Sequence, residues 1–180
     1  SRYQQLSFAY VKDNSMFGMT APMQGGRARF QVDKYFGATE VFTGLIDYRQ
    51  YMYLKPVTLA FRIYNYGMYG KVTDENVLQP LYIGYPWLIR GYENISYNTG
   101  DTPSLTSLNL SRLNGTRMAV PNAELRFPFS GPERLALIKS KWILTDLNLF
   151  FDAGMAWYRG DKIIFNYRDT HAADNEKFPL

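Results

Sequence analysis

The sequence predicts an all-β chain, with about six long antiparallel strands of a transmembrane β-barrel and one long loop turned into the barrel interior. Three observations carry that expectation. Apolar and polar residues alternate with period two over stretches of about ten positions, the pattern of a strand whose two faces meet different media. Aromatic residues make up 17% of the 180 residues, with 15 Tyr and 12 Phe, and Tyr and Trp favour surfaces that are apolar on one side and wet on the other. No apolar run reaches the roughly 20 residues of a membrane helix; the longest candidate, Leu81 to Ile89, is broken by Gly84 and Pro86. Helical periodicity is nowhere persuasive, so any membrane crossing falls to strands, whose local signals are weak.

A first strand is expected over 5–12, through Leu6, Phe8 and Tyr10. A second, over 27–36, sets Ala28, Phe30, Val32 and Phe36 against Arg27, Arg29, Gln31 and Asp33, with Lys34 interrupting the apolar face. The third, over 40–54, sets Phe42, Ile46 and Tyr48 against Thr43, Asp47 and Arg49. In the fourth, over 57–69, Val57, Leu59, Phe61 and Ile63 alternate with Thr58, Ala60, Arg62 and Tyr64. The fifth, over 117–129, opposes Ala119, Pro121, Ala123, Leu125, Phe127 and Phe129 to Asn122, Glu124 and Arg126.

The sixth, over 143–158, is the cleanest. Leu147, Leu149, Phe151, Ala153, Met155 and Trp157 share one face; Asp146, Asn148, Phe150, Asp152, Gly154 and Ala156 share the other. Trp157 and Tyr158 at its end suit an interfacial aromatic belt.

Gly37-Ala38-Thr39 and Lys55-Pro56 are short enough for hairpins. The connections 13–25 and 130–141 are longer and rich in Gly, Pro and Asn. Residues 71–116 form one very long insertion without sustained alternation. It carries Tyr82, Tyr85, Trp87, Ile89 and Tyr92, too apolar for a solvated tail, and is expected to pack against something. Six strands are too few to close a barrel, for which about eight is the usual minimum. The chain is therefore expected to be part of a larger one.

Two charged residues stand out against this pattern. Arg90 lies at the tip of the insertion, and Asp152 is a carboxylate on the polar face of the last strand. A guanidinium fork favours a bidentate carboxylate partner, so the pair suggests a loop plugged into the barrel and pinned by an ion pair. The plainer reading is a solvated loop arginine.

Composition narrows the chemistry. There is no cysteine, hence no disulfide framework and no thiolate metal site. The net charge of +4 is spread along the chain, so nucleic acid is not an expected partner. The one histidine, His171, sits in the polar stretch RDTHAADNEK and offers no acid–base partnership. Neither a metal-binding spacing nor a phosphate-cradling glycine loop is found. No catalytic, cofactor-binding or metal residue is assigned, and the chain is not expected to be an enzyme. The start, SRYQQLSFAY, lacks a charged leader followed by an apolar stretch; the chain is expected to begin within a longer protein or to have lost its leader.

Three segments, in order, resemble the BamA/TamA-type superfamily of outer-membrane barrels, also called the bacterial surface antigen domain. Leu88-Ile89-Arg90-Gly91-Tyr92 matches the family's V/L-R-G-Y/F loop motif. Val120-Pro121-Asn122-Ala123-Glu124-Leu125-Arg126-Phe127-Pro128 matches a strand of the form A-x-x-E-L/F-R-F-P. Phe150-Phe151-Asp152-Ala153-Gly154-Met155-Ala156-Trp157 matches F-F-D-x-G-x-x-W. The flanking LYIGYPWLIRGYE and GTRMAVPNAELRFPF are most similar to a subgroup in which such a barrel follows a TolB-like propeller.

The resemblance covers essentially the whole chain, 1–180, as the C-terminal part of the barrel domain. It implies sixteen strands, of which six would be here with the lumen-inserted loop, the final strands being missing after Leu180. It also implies that Arg90 pairs with Asp152 and with Glu124. Gly91 would give the loop its turn, Tyr92 would complete the loop motif, and Gly154 would leave room where the loop meets the wall. The roles are structural or gating.

The implied location is the bacterial outer membrane, with its lipids, client outer-membrane proteins and other membrane or periplasmic subunits as partners. The implied activity is assembly, insertion or translocation of proteins there. A passive barrel, serving as pore or as anchor for a fused or partner domain, is the alternative. A soluble β-sandwich or lipocalin-like binder is a third reading, and it expects the Leu147–Trp157 face to pack against protein. The sequons Asn94-Ile95-Ser96 and Asn114-Gly115-Thr116 read as accidental in such a setting.

Overall fold

The computed structural model describes residues 3–37, 40–70, 79–91, 113–133, 136–163 and 176–177. Ala38, Thr39, Tyr92, His171 and the sequon at 94–96 lie outside them. In chain order the strands are β1 (Tyr3–Asp13), β2 (Met16–Phe17), β3 (Pro22–Gly37), β4 (Val41–Leu54), β5 (Val57–Tyr69), β6 (Leu81–Tyr82) and β7 (Asn114–Gly115). They continue with β8 (Arg117–Gly131), β9 (Ile138–Lys139), β10 (Thr145–Asp152), β11 (Met155–Trp157), β12 (Lys162–Ile163) and β13 (Glu176–Lys177).

The long strands form one antiparallel meander in the order β1-β3-β4-β5-β8-β10, with β11 also paired to β8. Short pairings decorate it: β2 on β3, β9 parallel to β8, β6 with β7, and β12 with β13. The architecture is all-β, and among the described residues the sheet stays open. β1 and β10 stand at its two ends.

Several strands run longer than alternation alone gave. β3 begins at Pro22 rather than 27, because Gly25 and Gly26 pair with Tyr51 and Gln50 although they carry no side chain to alternate. The segment expected as one strand over 143–158 is divided into β10 and β11. The register does not slip across the gap: Asp152 faces Asn122, Met155 faces Ala119, and Ala153 N donates to Pro121 O at 3.1 Å. Inside the long insertion, β6 and β7 pair Leu81 with Gly115 and close the base of the loop.

Cross-strand register puts the alternating sets on two coherent faces, since side chains in direct register point the same way. One outer row reads Tyr10, Phe30 and Ile46; another reads Leu59, Leu125 and Leu149. This face is bare: Phe8 is 73% exposed, and Leu149 and Phe151 are each 69% exposed. The face that a β-sandwich would bury is thus the exposed one. Polar groups on it are tempered. Tyr48 donates its hydroxyl to Gln50 Oε1, Lys34 lies over the Phe36 ring, and Arg117 lies over the Tyr69 ring.

The core lies on the opposite, polar face. Ile83, Leu88 and Ile89 from the 79–91 segment join Leu113, Met118, Val120 and Ala156, all at most 5% exposed. Apolar contact is non-directional and scales with the area withdrawn from water, so this cluster is what glues the loop to the sheet. We expect Ile83→Ala to cost roughly 2–4 kcal/mol and to raise amide exchange at Leu88 and Ile89 ahead of exchange in β4. Unchanged protection at those two amides would show that the cluster does not hold the segment.

Candidate functional site

On the inner face, one transverse row presents three polar side chains to the loop. Arg62 on β5 faces Asn122 on β8, and Asn122 faces Asp152 on β10. All three hold the same short stretch of loop. Arg62 Nη1 donates to Trp87 O at 3.2 Å, and Asn122 Nδ2 donates to Leu88 O at 3.0 Å. Asp152 Oδ2 accepts from Arg90 N at 3.0 Å and from Arg90 Nε at 2.7 Å, while Oδ1 accepts from Nη2 at 2.8 Å.

Local sequence sets up this grip. The amides of Leu88 and Ile89 both donate to Tyr85 O, at 2.9 and 3.0 Å, folding Tyr85 to Ile89 into a tight turn around Pro86. Gly91 then takes φ +95°, a left-handed conformation that side chains disfavour. Among the described residues nothing lies within 4 Å of where its Cβ would be, so it is the backbone reversal that calls for glycine here. Arg90 sits between turn and reversal.

Asp152 is 3% exposed at its side chain. A carboxylate so buried requires full compensation. It has four donors: three from Arg90, and Asn122 Nδ2 at 2.9 Å. The hydrogen bonds to Asp152 raise the Arg90 guanidinium above its ordinary range, outweighing the partial burial that lowers it. The same guanidinium lies 3.8 Å above the centre of the Phe150 ring, and its Nη1 is 3.7 Å from Glu124 Oε2.

A second set of charges flanks the grip. Arg49 and Arg62 stand directly opposite each other, an unfavourable arrangement for like charges. Asp47 bridges them, accepting from Arg49 Nε and Nη2 at 3.0 and 2.7 Å and from Arg62 Nε at 3.1 Å. Arg126 donates to Glu124 Oε2 at 3.1 Å and to Pro22 O at 3.0 Å.

Gly154 is where the loop meets bare backbone. A Cβ there would stand 2.3 Å from Ile89 Cδ1 and 3.4 Å from Val120 Cγ2. The structure thus brings Arg90, Glu124, Asp152 and Gly154 together around the loop tip, with Gly91 at its turn; Tyr92 lies outside the described residues. Asn122 and Arg62 were not singled out from sequence, nor were the carbonyls of Trp87 and Leu88. Their common signal is cross-strand register, which appears only once the strand partners are known. Among the described residues no group of three or more His, Cys, Asp or Glu is placed to hold a metal ion. Comparison with family models, curated proteins and solved structures finds no match.

The geometry sets expectations for two substitutions. Arg90→Ala should cost about 2 kcal/mol, because Asp152 stays buried without its principal donors while the partly exposed guanidinium gives back some solvation. Arg90→Lys should recover only part of this, since an ammonium lacks the fork. Denaturant unfolding measures both, and a silent Arg90→Ala would refute a structural role for the pair. Gly154→Ala should cost about 1–3 kcal/mol through overpacking, and Ile89→Ala in the same chain should relieve it. Strictly additive losses in that double-mutant cycle would mean that the loop does not bear on Gly154.

Proposed function

We propose that this chain is part of an outer-membrane β-barrel, its bare apolar face toward lipid and its long loop held against the inner wall. We propose further that it acts in assembling, inserting or translocating proteins at that membrane. The observation that carries the first statement is the segregation of the sheet. Phe8, Phe30, Ile46, Phe61, Leu149 and Phe151 are exposed on one face, and Asp47, Arg49, Arg62, Glu124 and Asp152 stand on the other. In water an apolar face of this extent is an aggregation hazard; in hydrocarbon its exposure costs nothing.

The open sheet argues in the same direction. β1 and β10 leave edge N–H and C=O groups that hydrocarbon cannot satisfy, so a lipid-embedded sheet of this kind requires further strands beside both edges. A sixteen-stranded barrel, as the resemblance implies, supplies them. The activity rests on the resemblance of the loop motif and of the two wall strands that hold it.

Leu149→Arg separates lipid from water. At a residue facing hydrocarbon the substitution should cost about 2–4 kcal/mol near the midplane. At a solvated position it should fall within about 0.5 kcal/mol. The measurement is folding of the full protein into lipid vesicles, and an unaffected yield would exclude a lipid-facing Leu149. For the activity, Arg90→Ala should impair insertion of a client barrel in reconstituted vesicles. Full competence would leave a passive pore or anchor as the better account.

A further inference from the structure

The bare apolar face is interrupted at one place. A single register row crosses it from Val32 on β3 through Gly44 on β4 and Gly67 on β5 to Arg117 on β8. Two glycines side by side leave a gap in an otherwise bulky surface. Over Gly44 the gap stays open: among the described residues nothing lies within 4 Å of where its Cβ would be. The result is a groove of about 380 Å³, with Phe30 and Ile46 on one flank and Phe42 and Tyr69 on the other. Asn65 adds one amide at its edge. Over Gly67 the space is taken by Tyr69, whose Cζ stands 2.9 Å from where a Gly67 Cβ would be.

The row ends on a cation that lacks an anion. Arg117 stands on the same face, between Gly67 and Trp157. Its guanidinium lies 4.7 Å from the centre of the Tyr69 ring, which in turn meets Phe42 at 6.2 Å. Among the described residues no carboxylate pairs with Arg117, and its buried Nε has no hydrogen-bond partner. Two acids at this end of the sheet are engaged elsewhere. Asp161 accepts from Tyr158 N at 2.8 Å, and Glu40 lies 4.0 Å from Lys34 Nζ, the other cation on this face. An unpaired charge beside hydrocarbon is costly and calls for a partner.

We propose that this corner of the apolar face holds one anionic membrane lipid, with an acyl chain in the groove over Gly44 and its phosphate on the Arg117 guanidinium. The inference rests on the reading of this face as lipid-facing and adds to it a lipid class and a place. Tyr69 is the last residue of β5 and Arg117 the first of β8, so the guanidinium stands at the margin of the apolar band, where headgroups lie. Its fork matches phosphate oxygens. Gly44 and Arg117 are two strand spacings apart, roughly 10 Å, a span one lipid covers from phosphate to upper chain. A zwitterionic lipid brings its own ammonium beside the phosphate and leaves the charge of Arg117 uncompensated. An anionic lipid neutralises it.

The test is native mass spectrometry of the full protein released from mixed micelles that hold equal amounts of phosphatidylglycerol and phosphatidylcholine with the same acyl chains. Phosphatidylglycerol should be retained about fivefold in excess, the effect of one basic residue at an anionic surface. Arg117→Gln should abolish that preference, whereas Arg27→Gln, on the opposite face, should keep it. Gly44→Leu should lower retention of both lipids, and it decides the matter if Arg117→Gln does not fold, since its side chain enters open space. Equal retention of the two lipids by a chain that folds into vesicles would overturn the inference and leave the lipid-facing reading standing. A chain soluble without detergent would overturn both. A preference that survives Arg117→Gln, or retention untouched by Gly44→Leu, would also sink the proposed site.

Discussion

A carboxylate withdrawn from water has to find donors wherever the chain can bring them, and Asp152 finds them across 62 residues of sequence. Its side chain is 3% exposed, and the compensation comes from the backbone and guanidinium of Arg90 together with the amide of Asn122. An unpaired charge in that position would cost several kcal/mol. The structure is therefore committed to keeping Arg90 beside β10. From that commitment follow the turn at Tyr85 to Ile89, the reversal at Gly91, and the absence of a side chain at Gly154.

Polar and apolar contacts divide the labour here. The hydrogen bonds from Arg62, Asn122 and Asp152 are directional, and they define which loop residue faces which strand. The buried cluster of Ile83, Leu88, Ile89, Met118 and Val120 is non-directional and supplies adhesion. Paired buried charges add little net stability compared with an apolar replacement, because desolvation offsets attraction. Their contribution at this site is position: a loop attached by Ile83 and Leu88 alone would hold to the wall without a defined register.

The sequence was most legible where one face differs sharply from the other. Leu147 to Phe151 alternates against Asp146, Asn148 and Asp152, and the strand sits there in unbroken register with β8. Legibility failed at Pro22 to Gly26, where glycine has no side chain to report a face, and at Leu81–Tyr82 and Asn114–Gly115, which are too short for a period to show. Arg90 and Asp152 could be singled out because each is a lone charge in an apolar context. Asn122 could not. Its importance comes from standing between Arg62 and Asp152 in one row, and that adjacency is created by pairing β5 with β8 and β8 with β10. Arg49 was visible only as one of several inner-face charges, and its opposition to Arg62 is likewise a product of register.

The same geometry makes the attachment of the loop a discrete state. Its handles fall on Trp87, Leu88 and Arg90, nearly successive positions, and each is met by a different strand. Sliding the loop by one residue would break the three together, and Ile89 would at the same time leave the space that Gly154 keeps open. Intermediate positions would lose both the polar handles and the fit while Asp152 stayed buried, so they lie higher in energy than either the seated loop or one withdrawn far enough for water to reach the carboxylate.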